Sequence, residues 1–378
     1  MKPVGVVGGG VGGLGAAIAL AKQGIPTVVY EKSAASHEID RGDVIHSRSH
    51  ELLTEWGAWE SLRERGALRV RRFRILNESG SRLVDLDLNQ TLSRGQGLWA
   101  LRHSHIVEAL REFARSHPGI ELREGTAVLD LMTSQGQVVG VLTRDGECLH
   151  PLTVVADGAR SRLRDRHFHV PRLHDWDRSF FNVRVKGNVL SDPSGVYVVG
   201  SRGILIMLRL PNGETRIGLQ YPTSDSSRKP TVETFWDHAS QVFVPFKAAE
   251  WGIIDAHSYR LRSSFTEVWN VPGAVLLGDC AHTVHPTGGQ GMNLAFGDAQ
   301  MLADSLRDDS EDFARAARSY AHARKAQSLR VYRRCMVGGQ LAGITDGRAL
   351  WARSLGLRLL GKMPPAQKRL VRRLADVR

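Results

Sequence analysis

The stretch VGVVGGGVGGLGAAIALAKQGIPTVVYEK, Val4 to Lys32, constrains this chain more than any other. A short β-branched run meets Gly8-Gly9-Gly10-Val11-Gly12-Gly13, and an Ala/Leu-rich run follows, closed by Gly24. The pattern predicts strand, glycine turn, helix, strand, a βαβ unit at the start of the chain. Gly8 suits the tight turn, Gly10 lets a pyrophosphate approach the backbone, and Gly13 lets the helix pack on the strand. Together with Gly12 they open a helix whose free N–H groups and positive dipole end favour phosphates. Glu31, with Lys32 beside it, ends the second strand about 20 residues on, where an acid takes ribose hydroxyls. That acid favours an unphosphorylated ribose, as in FAD or NAD. A ligand-free glycine turn is the competing reading. The placement between strand and helix, with Glu31 in register, argues against it.

Beyond this unit, 47–62 has helical spacing of Leu52, Leu53, Trp56 and Trp59, and 71–88 alternates as a hairpin. A helix is predicted over 104–116, then three strands with a glycine turn, then the short buried strand TVVADG. From about Trp176 to Ser263, FFNVRVKG, GVYVVGS, GILIMLRL and TRIGLQY alternate as antiparallel strands. The α/β style returns at AVLLGD, and after Asn293 the chain reads as helical, with breaks at Gly338-Gly339, Gly343 and Pro364-Pro365. The expected fold class is therefore α/β, with a Rossmann-like nucleotide domain interrupted by an antiparallel β-sheet and followed by a helical C-terminal tail. With 378 residues, more than one core is expected.

Charge narrows the partners. The net charge is +12 and the pI about 10.0, which raises nucleic-acid binding. Nine Arg or Lys against two Asp from Gly339 to Arg378 account for +7 of it. The basicity is a property of the tail. A solvated helical surface explains it; a peripheral membrane contact is the sharper alternative. Cys148, Cys280 and Cys335 lie far apart and form no disulfide framework, which fits a reducing compartment. No apolar run reaches the roughly 18 residues of a spanning helix. The N-terminus lacks signal-peptide character, and a cytoplasmic protein is expected.

Two further stretches carry chemistry. In ADGARSRLR, 156–164, a strand runs into Asp157-Gly158; alone, it reads as a turn with solvated arginines. In LLGDCAHTVHPTGGQGMNLAFGDA, 276–299, Cys280, His282 and His285 invite a metal reading, but no second ligand cluster stands out and no metal is expected. The alternative is a strand end presenting Asp279, then a glycine loop offering N–H groups at a helix start, which suits an electron-accepting ring system.

Taken together, GGGVGG with Glu31, DGARSRLR at 157–164 and GDCAHTVHPTGGQGMNLAFGDA at 278–299 resemble the three fingerprints of the single-component (class A) FAD-dependent aromatic monooxygenases, with the p-hydroxybenzoate hydroxylase group as type case. They stand in that family's order and spacing, across Val4 to Leu306. The resemblance implies a glutathione-reductase-type FAD-binding domain from 1–70, 98–170 and 272–330. A β-sheet substrate domain would take 71–97 and 171–271, and a basic helical segment 331–378. It implies FAD held at its ADP end by Gly8, Gly10, Gly13 and Glu31, with Arg41 contacting the cofactor. Asp279, after Gly278, would bond the ribityl chain. Pro286 and the loop of Gly288, Gly289, Gln290, Gly291, Met292 and Asn293 would line the flavin ring. Asp157 and Gly158 would serve FAD and the pyridine nucleotide. A position usually Arg or Gln falls on His103, a departure, with Arg102 beside it as a substitute.

The activity so implied is NAD(P)H-driven insertion of one oxygen atom from O2, through a C4a-hydroperoxyflavin, into an aromatic, polyketide or other polycyclic small molecule of biosynthetic, secondary-metabolic origin. The product is a hydroxylated or epoxidised ring, and either NADPH or NADH is the reductant. The cofactor carries the hard chemistry, and the protein excludes water and orients the substrate. Candidates for a base are His46, Tyr221, Arg209 and His285. Phe180, Val199, Met207 and Leu219 are candidates for the pocket, although alternation alone does not identify the face. Two other functions compete: an FAD-dependent reductase or dehydrogenase without oxygen insertion, and a non-catalytic basic binding protein. The expected partners are the substrate, O2 and NAD(P)H, without nucleic acid, in a monomer or homodimer.

Overall fold

A computed structural model describes residues 2–34, 42–93, 95–187, 189–224, 229–248 and 251–375. The chain opens with β1 (Val4–Val7), α1 (Val11–Lys22), β2 (Thr27–Glu31), β3 (Gly42–His46), α2 (Ser47–Trp56), α3 (Trp59–Glu64) and β4 (Leu68–Arg69). Next come β5 (Arg72–Leu76), β6 (Arg82–Asp87), α4 (Leu88–Thr91), β7 (Leu98–Arg102), α5 (His103–Ser116) and β8 (Ile120–Glu124). Then follow β9 (Val128–Ser134), β10 (Gln137–Thr143), β11 (Gly146–Leu149), β12 (Thr153–Val155) and α6 (Arg162–His167). The strand-rich middle holds β13 (Arg172–Lys186), β14 (Ser194–Val199), β15 (Ile204–Leu210), β16 (Glu214–Tyr221), α7 (Phe235–Val242) and β17 (Ile253–Phe265). β18 (Asn270–Val271), β19 (Ala274–Leu276) and β20 (His282–Thr283) precede α8 (Gln290–Asp308), α9 (Phe313–Ala342), α10 (Gly347–Lys362) and α11 (Pro364–Leu374).

The first sheet runs β18-β19-β12-β1-β2-β8. Its β1, β2, β8, β12 and β19 pair in parallel, so β1, β12 and β19 end side by side. Those three strands are buried throughout, as expected where helices cover both faces of a parallel sheet. The small residues of α1 let it lie close to α8. A Cβ on Gly12 would press on Leu277 and one on Gly15 on Phe296, each at 3.2 Å.

The second sheet runs β20-β17-β13-β16-β15-β14-β5-β6. The predicted hairpin 71–88 supplies its edge, and β14 pairs with β5 in parallel rather than antiparallel. One face is covered by α7, in a core that includes Phe181, Val183, Met207, Ile217, Leu219 and Phe235. The opposite face carries Phe180, Ile204 and Ile206, packed with Trp176, Leu261 and Ala342. Two three-stranded sheets, β3-β7-β4 and β11-β10-β9, complete the described strands.

Two sequence expectations are corrected. The helix expected over 47–62 is two helices, because Gly57 takes a left-handed backbone, φ 85°, and ends the first. Gly338-Gly339 does not break a helix; α9 runs unbroken through it. Gly339 serves packing instead. A Cβ there would stand 2.7 Å from the Trp176 ring and 2.8 Å from the His285 ring. Pro364-Pro365 opens α11, where the missing N–H costs nothing.

Candidate functional site

The three fingerprint stretches meet where β1, β12 and β19 end, the edge at which open α/β sheets bind ligands. Gly8 has φ 107°, and a Cβ on it would lie 2.5 Å from the Ala156 carbonyl oxygen. A Cβ on Gly13 would fall on the Gly8 carbonyl oxygen. The first motif is thus seated directly on the second. Gly10 is the N-cap of α1, and neither a capping side chain nor an acid occupies the first turn. The N–H groups there are left for a ligand. Glu31 accepts from Gly9 N at 2.6 Å and Ser33 N at 2.8 Å, which fixes its carboxylate at the mouth of the glycine turn. Lys32 beside it is exposed.

From the second motif, Asp157 is exposed at the end of β12, and Gly158 turns with φ 90°. Although Asp157 is open to solvent by area, the protein crowded around it raises its carboxyl pKa, against hydrogen bonds with Ser161 and Cys280. Gly278, φ 68°, turns the chain after β19 and leaves Asp279 exposed. Asp279 Oδ1 lies 3.7 Å from where a Cβ of Gly291 would stand, so its carboxylate borders the start of α8.

A buried network holds this turn, and sequence reasoning missed it. Asp298 Oδ2 accepts from Gly278 N at 3.0 Å and pairs with His282 Nε2 at 2.8 Å. Its Oδ1 accepts from Arg324 Nε at 2.5 Å. Burial alone would raise the Asp298 carboxyl. The His282 and Arg324 charges and hydrogen bonds outweigh it and hold the pKa at about 2. Asp298 sits in the quoted 276–299 stretch, which gave it a signal; Arg324, in a basic-looking helix, had none. His282 is thereby engaged by a carboxylate, while Cys280 is a buried thiol whose pKa burial pushes up.

The loop before α8 is shaped by backbone. Gly288 N and Gly289 N donate to the Pro286 carbonyl at 2.7 and 3.1 Å. Gly289, left-handed at φ 60°, caps α8 with no side-chain cap and no acid in the first turn, a second helix start open to negative charge. Asn293 fastens the loop to β3: its Nδ2 donates to Val44 O at 2.9 Å and Gly289 O at 2.7 Å, and its Oδ1 accepts from His46 N at 2.9 Å. Gln290 Nε2 lies 3.4 Å from His46 Nδ1. Met292 packs on the parallel-sheet core. Burial lowers the His46 pKa to about 4 and holds the ring neutral.

On the other side of the loop lies the apolar Phe180–Ile206 face of the eight-stranded sheet, the wall of a proposed substrate chamber. His285 is 1% exposed, with its ring 4.7 Å from Trp176 and Nδ1 3.0 Å from Thr287 Oγ1. Burial, aided by His174, lowers its pKa to about 4. Trp176 belongs to the Phe180–Ile206 face of the eight-stranded sheet, beside which Tyr197, Tyr259 and Met336 keep part of their surface open. On the same face Arg216 donates to Asn182 Oδ1 at 2.7 Å and runs beneath Gly42 at the start of β3. Burial raises the Tyr197 hydroxyl pKa to about 12, opposed by Arg216. Asn182 Nδ2, Gln220 Oε1 and His285 Nε2 are buried and have no partner among the described residues. Asn182 and Gln220 lie on the sheet face of Phe180, and His285 on the loop beside it, so unmatched polar atoms gather on this side of the sheet.

The remaining candidates are not brought to this chamber. Met207, Leu219 and Tyr221 pack beneath α7 on the opposite face, with Tyr221 Oη 3.5 Å from Ser258 Oγ. Arg209 reaches the Ser191 carbonyl at 3.4 Å. Phe180 faces the chamber and Val199 shares a strand face with Tyr197. Arg102 is tied to Glu214, with Nε 3.0 Å from Oε2, and Arg184 holds the same carboxylate. His103 Nδ1 lies 2.5 Å from Asp43 Oδ2. Arg41 lies outside the described residues.

This geometry sets glycine turns and two uncapped helix starts of a dinucleotide-binding type beside an apolar face of the second sheet. The chain belongs to the FAD binding domain family, whose profile matches residues 1–334. It is 28% identical over 400 residues to 6-methylpretetramide 4-monooxygenase of Streptomyces rimosus, covering 98% of this chain and 91% of that protein. It is 24% identical over 319 residues to squalene epoxidase 4 of Arabidopsis thaliana, covering 80% of this chain but only 61% of that protein. In fold it matches the crystal structure of p-nitrophenol 4-monooxygenase from Pseudomonas putida DLL-E4, with TM-score 0.86, 18% identity, and 100% and 99% of the two chains covered. The expected fold class, FAD as cofactor and the class of FAD-dependent monooxygenase stand with these findings. Among the described residues, no helix is long and apolar enough to cross a membrane.

Proposed function

We propose that this enzyme hydroxylates a polycyclic phenolic or polyketide-type aromatic compound, using O2 and NADPH or NADH. The observation that carries the reading is the loop Pro286–Asn293. One of its sides borders Asp279, while His285 at its start packs on Trp176, at the sheet face that carries the unmatched polar atoms of Asn182 and Gln220. A cofactor ring along that loop would be within reach of a substrate in the chamber.

The strand ends fit FAD on two grounds: two helix starts without capping side chains, and a first glycine turn in which a Cβ on Gly8, Gly9 or Gly13 would clash. In this reading Gly8, Gly10, Gly12, Gly13 and Glu31 hold the ADP end, with Lys32 and Arg41 nearby. Asp157, Gly158, Gly278 and Asp279 hold the middle. Pro286, Gly288, Gly289, Gln290, Gly291, Met292 and Asn293 line the ring. Bound FAD supplies the activation of O2. The α8 N-terminus stabilises negative charge along that edge. Asn182, Arg216 and Gln220 orient the substrate's oxygen functions, and the apolar wall around Phe180 and Ile206 excludes water. His46 and His285, both neutral at physiological pH, are available to accept a proton from a phenol; His285 Nε2 is the better placed, being unpartnered at the chamber wall. The resemblance to 6-methylpretetramide 4-monooxygenase supports the polyketide class. We further read 1–70, 98–170 and 272–330 as the FAD-binding part, and 71–97 with 171–271 as the substrate part.

The test is to follow NADPH and NADH oxidation by the FAD-loaded enzyme against a panel of hydroxylated naphthoquinones, anthraquinones and naphthacenes. The reading expects members of the panel to accelerate oxidation and to emerge with an added hydroxyl. Equal rates with and without every compound, and no hydroxylated product, would count against it.

A further inference from the structure

A cavity of about 420 Å³ lies between α10, the turn after β14 and the turn joining β5 to β6. That volume is within the roughly 300–1,000 Å³ typical of small-molecule sites. α10 buries none of its side chains, and Trp351 at the rim is 69% exposed. Arg353 and Arg358 both line the cavity. The acid that lines it, Glu78, is committed elsewhere: its carboxylate accepts from Ser201 N, and its stem is packed against Gly200. Arg353 is fastened by one arm, its Nη1 donating to the Leu341 carbonyl at 3.2 Å. Its Nε is buried with no hydrogen-bond partner among the described residues. Burial lowers the guanidinium pKa, against the pull of Glu78. A desolvated cation with an unmatched N–H is costly unless an acceptor meets it.

The cavity shares strand β14 with the proposed chamber wall. Val199 lines it and stands two residues from Tyr197, on the same strand face. Leu341, which anchors Arg353, precedes Ala342 in the chamber wall.

We propose that this cavity is an entry site that captures the substrate as an aromatic anion. Its carboxylate, phenolate or enolate oxygen meets Arg353 and Arg358, and its ring plane lies against Trp351. The planar guanidinium fork suits a charged oxygen pair, and the indole suits a flat ring system. The inference rests on the aromatic-monooxygenase reading for its ligand class, and it adds a site that selects for charge before the chamber selects for shape.

The test uses the FAD-loaded protein and two probes of nearly the same shape, the anionic anthraquinone-2-carboxylate and the neutral anthraquinone-2-carboxamide, with affinity measured by titration calorimetry. Retained flavin absorbance shows that each variant is folded. Arg353→Gln is expected to weaken the carboxylate roughly tenfold or more and leave the carboxamide nearly unchanged. Trp351→Ala is expected to weaken both. The proposal is overturned if Arg353→Gln binds the carboxylate as tightly as the parent protein, or if Arg216→Met abolishes binding while Arg353→Gln does not, which would place the probe in the chamber alone. It is equally overturned if neither probe binds and the parent protein instead co-sediments with phosphatidylglycerol vesicles in a Trp351-dependent way. Probe binding requires no turnover, so a failure of oxygen insertion is read separately from NADPH oxidation and product.

Discussion

At the residue scale, Asp298 carries three interactions on one buried carboxylate. It is fully buried and holds the Gly278 turn, His282 and Arg324 together. Asp298→Asn is expected to cost about 3–5 kcal/mol, because it leaves Arg324 buried without its counter-charge; urea unfolding measures this. Its folded pKa, about 2, lies below the ordinary 3.8. The stability it contributes is therefore complete above the unfolded value and is lost as pH falls from about 4 towards 2. His46 and His285 act over a higher window. Their folded pKa of about 4 lies below 6.5, so each favours the folded state above pH 6.5 and loses that contribution as pH falls towards 4. The effect is on the order of 3 kcal/mol for each at most. The urea midpoint should fall between pH 6.5 and 4, and His46→Gln with His285→Gln should flatten that fall. In the chamber, Arg216→Met is expected to raise KM for a phenolic substrate and to leave more NADPH oxidised per product formed. Steady-state kinetics with product analysis reads both; an unchanged KM and coupling would remove Arg216 from substrate positioning.

At the element scale, α9 sets the packing around the Trp176 and His285 rings. Gly339 lets it approach the Trp176 and His285 rings. Gly339→Ala is expected to cost about 1–3 kcal/mol through overpacking and to lower kcat/KM by displacing His285, while FAD stays bound. Unaltered kinetics would mean that the two rings yield freely. This glycine also shows where sequence reading stops. In sequence, Gly338-Gly339 has the composition of a break, and only the partner across the fold reveals a packing role. The sheet faces pose the same difficulty. Phe180, Val199, Met207 and Leu219 all alternate properly, yet Phe180 and Val199 face one way and Met207 and Leu219 the other. A period of two has no sign until something covers one face. By contrast, the β1–α1–β2 unit was legible, since its glycines are imposed by local contacts: Gly8 on Ala156, Gly13 on Gly8. The Asp298–Arg324 bond, 26 residues apart between two helices, has no local counterpart.

At the scale of the whole molecule, two sheets meet across one loop. The parallel sheet offers strand ends and two uncapped helix starts, and the other sheet offers a lined face. FAD between them should act as a structural keystone. At about a thousandfold excess over its dissociation constant it would stabilise the folded state by roughly 4 kcal/mol. Stripping it should lower the midpoint of thermal unfolding, and adding it back should restore the midpoint; a midpoint indifferent to FAD would contradict the groove assignment. Of the positive charges gathered in the last 40 residues, Arg353 and Arg358 line the outer cavity, which is where the proposed charge selection acts.

The central claim is oxygen insertion by a flavin held along the Pro286–Asn293 loop. Its most direct test is turnover under 18O2, with NADPH and a substrate from the aromatic panel that accelerates NADPH oxidation, followed by mass spectrometry of the product. The account predicts a mass gain of one 18O atom per product molecule, and none when the label is supplied as H218O. A product that is oxidised or reduced without label from O2 would contradict it and point to dehydrogenase or reductase chemistry on the same fold.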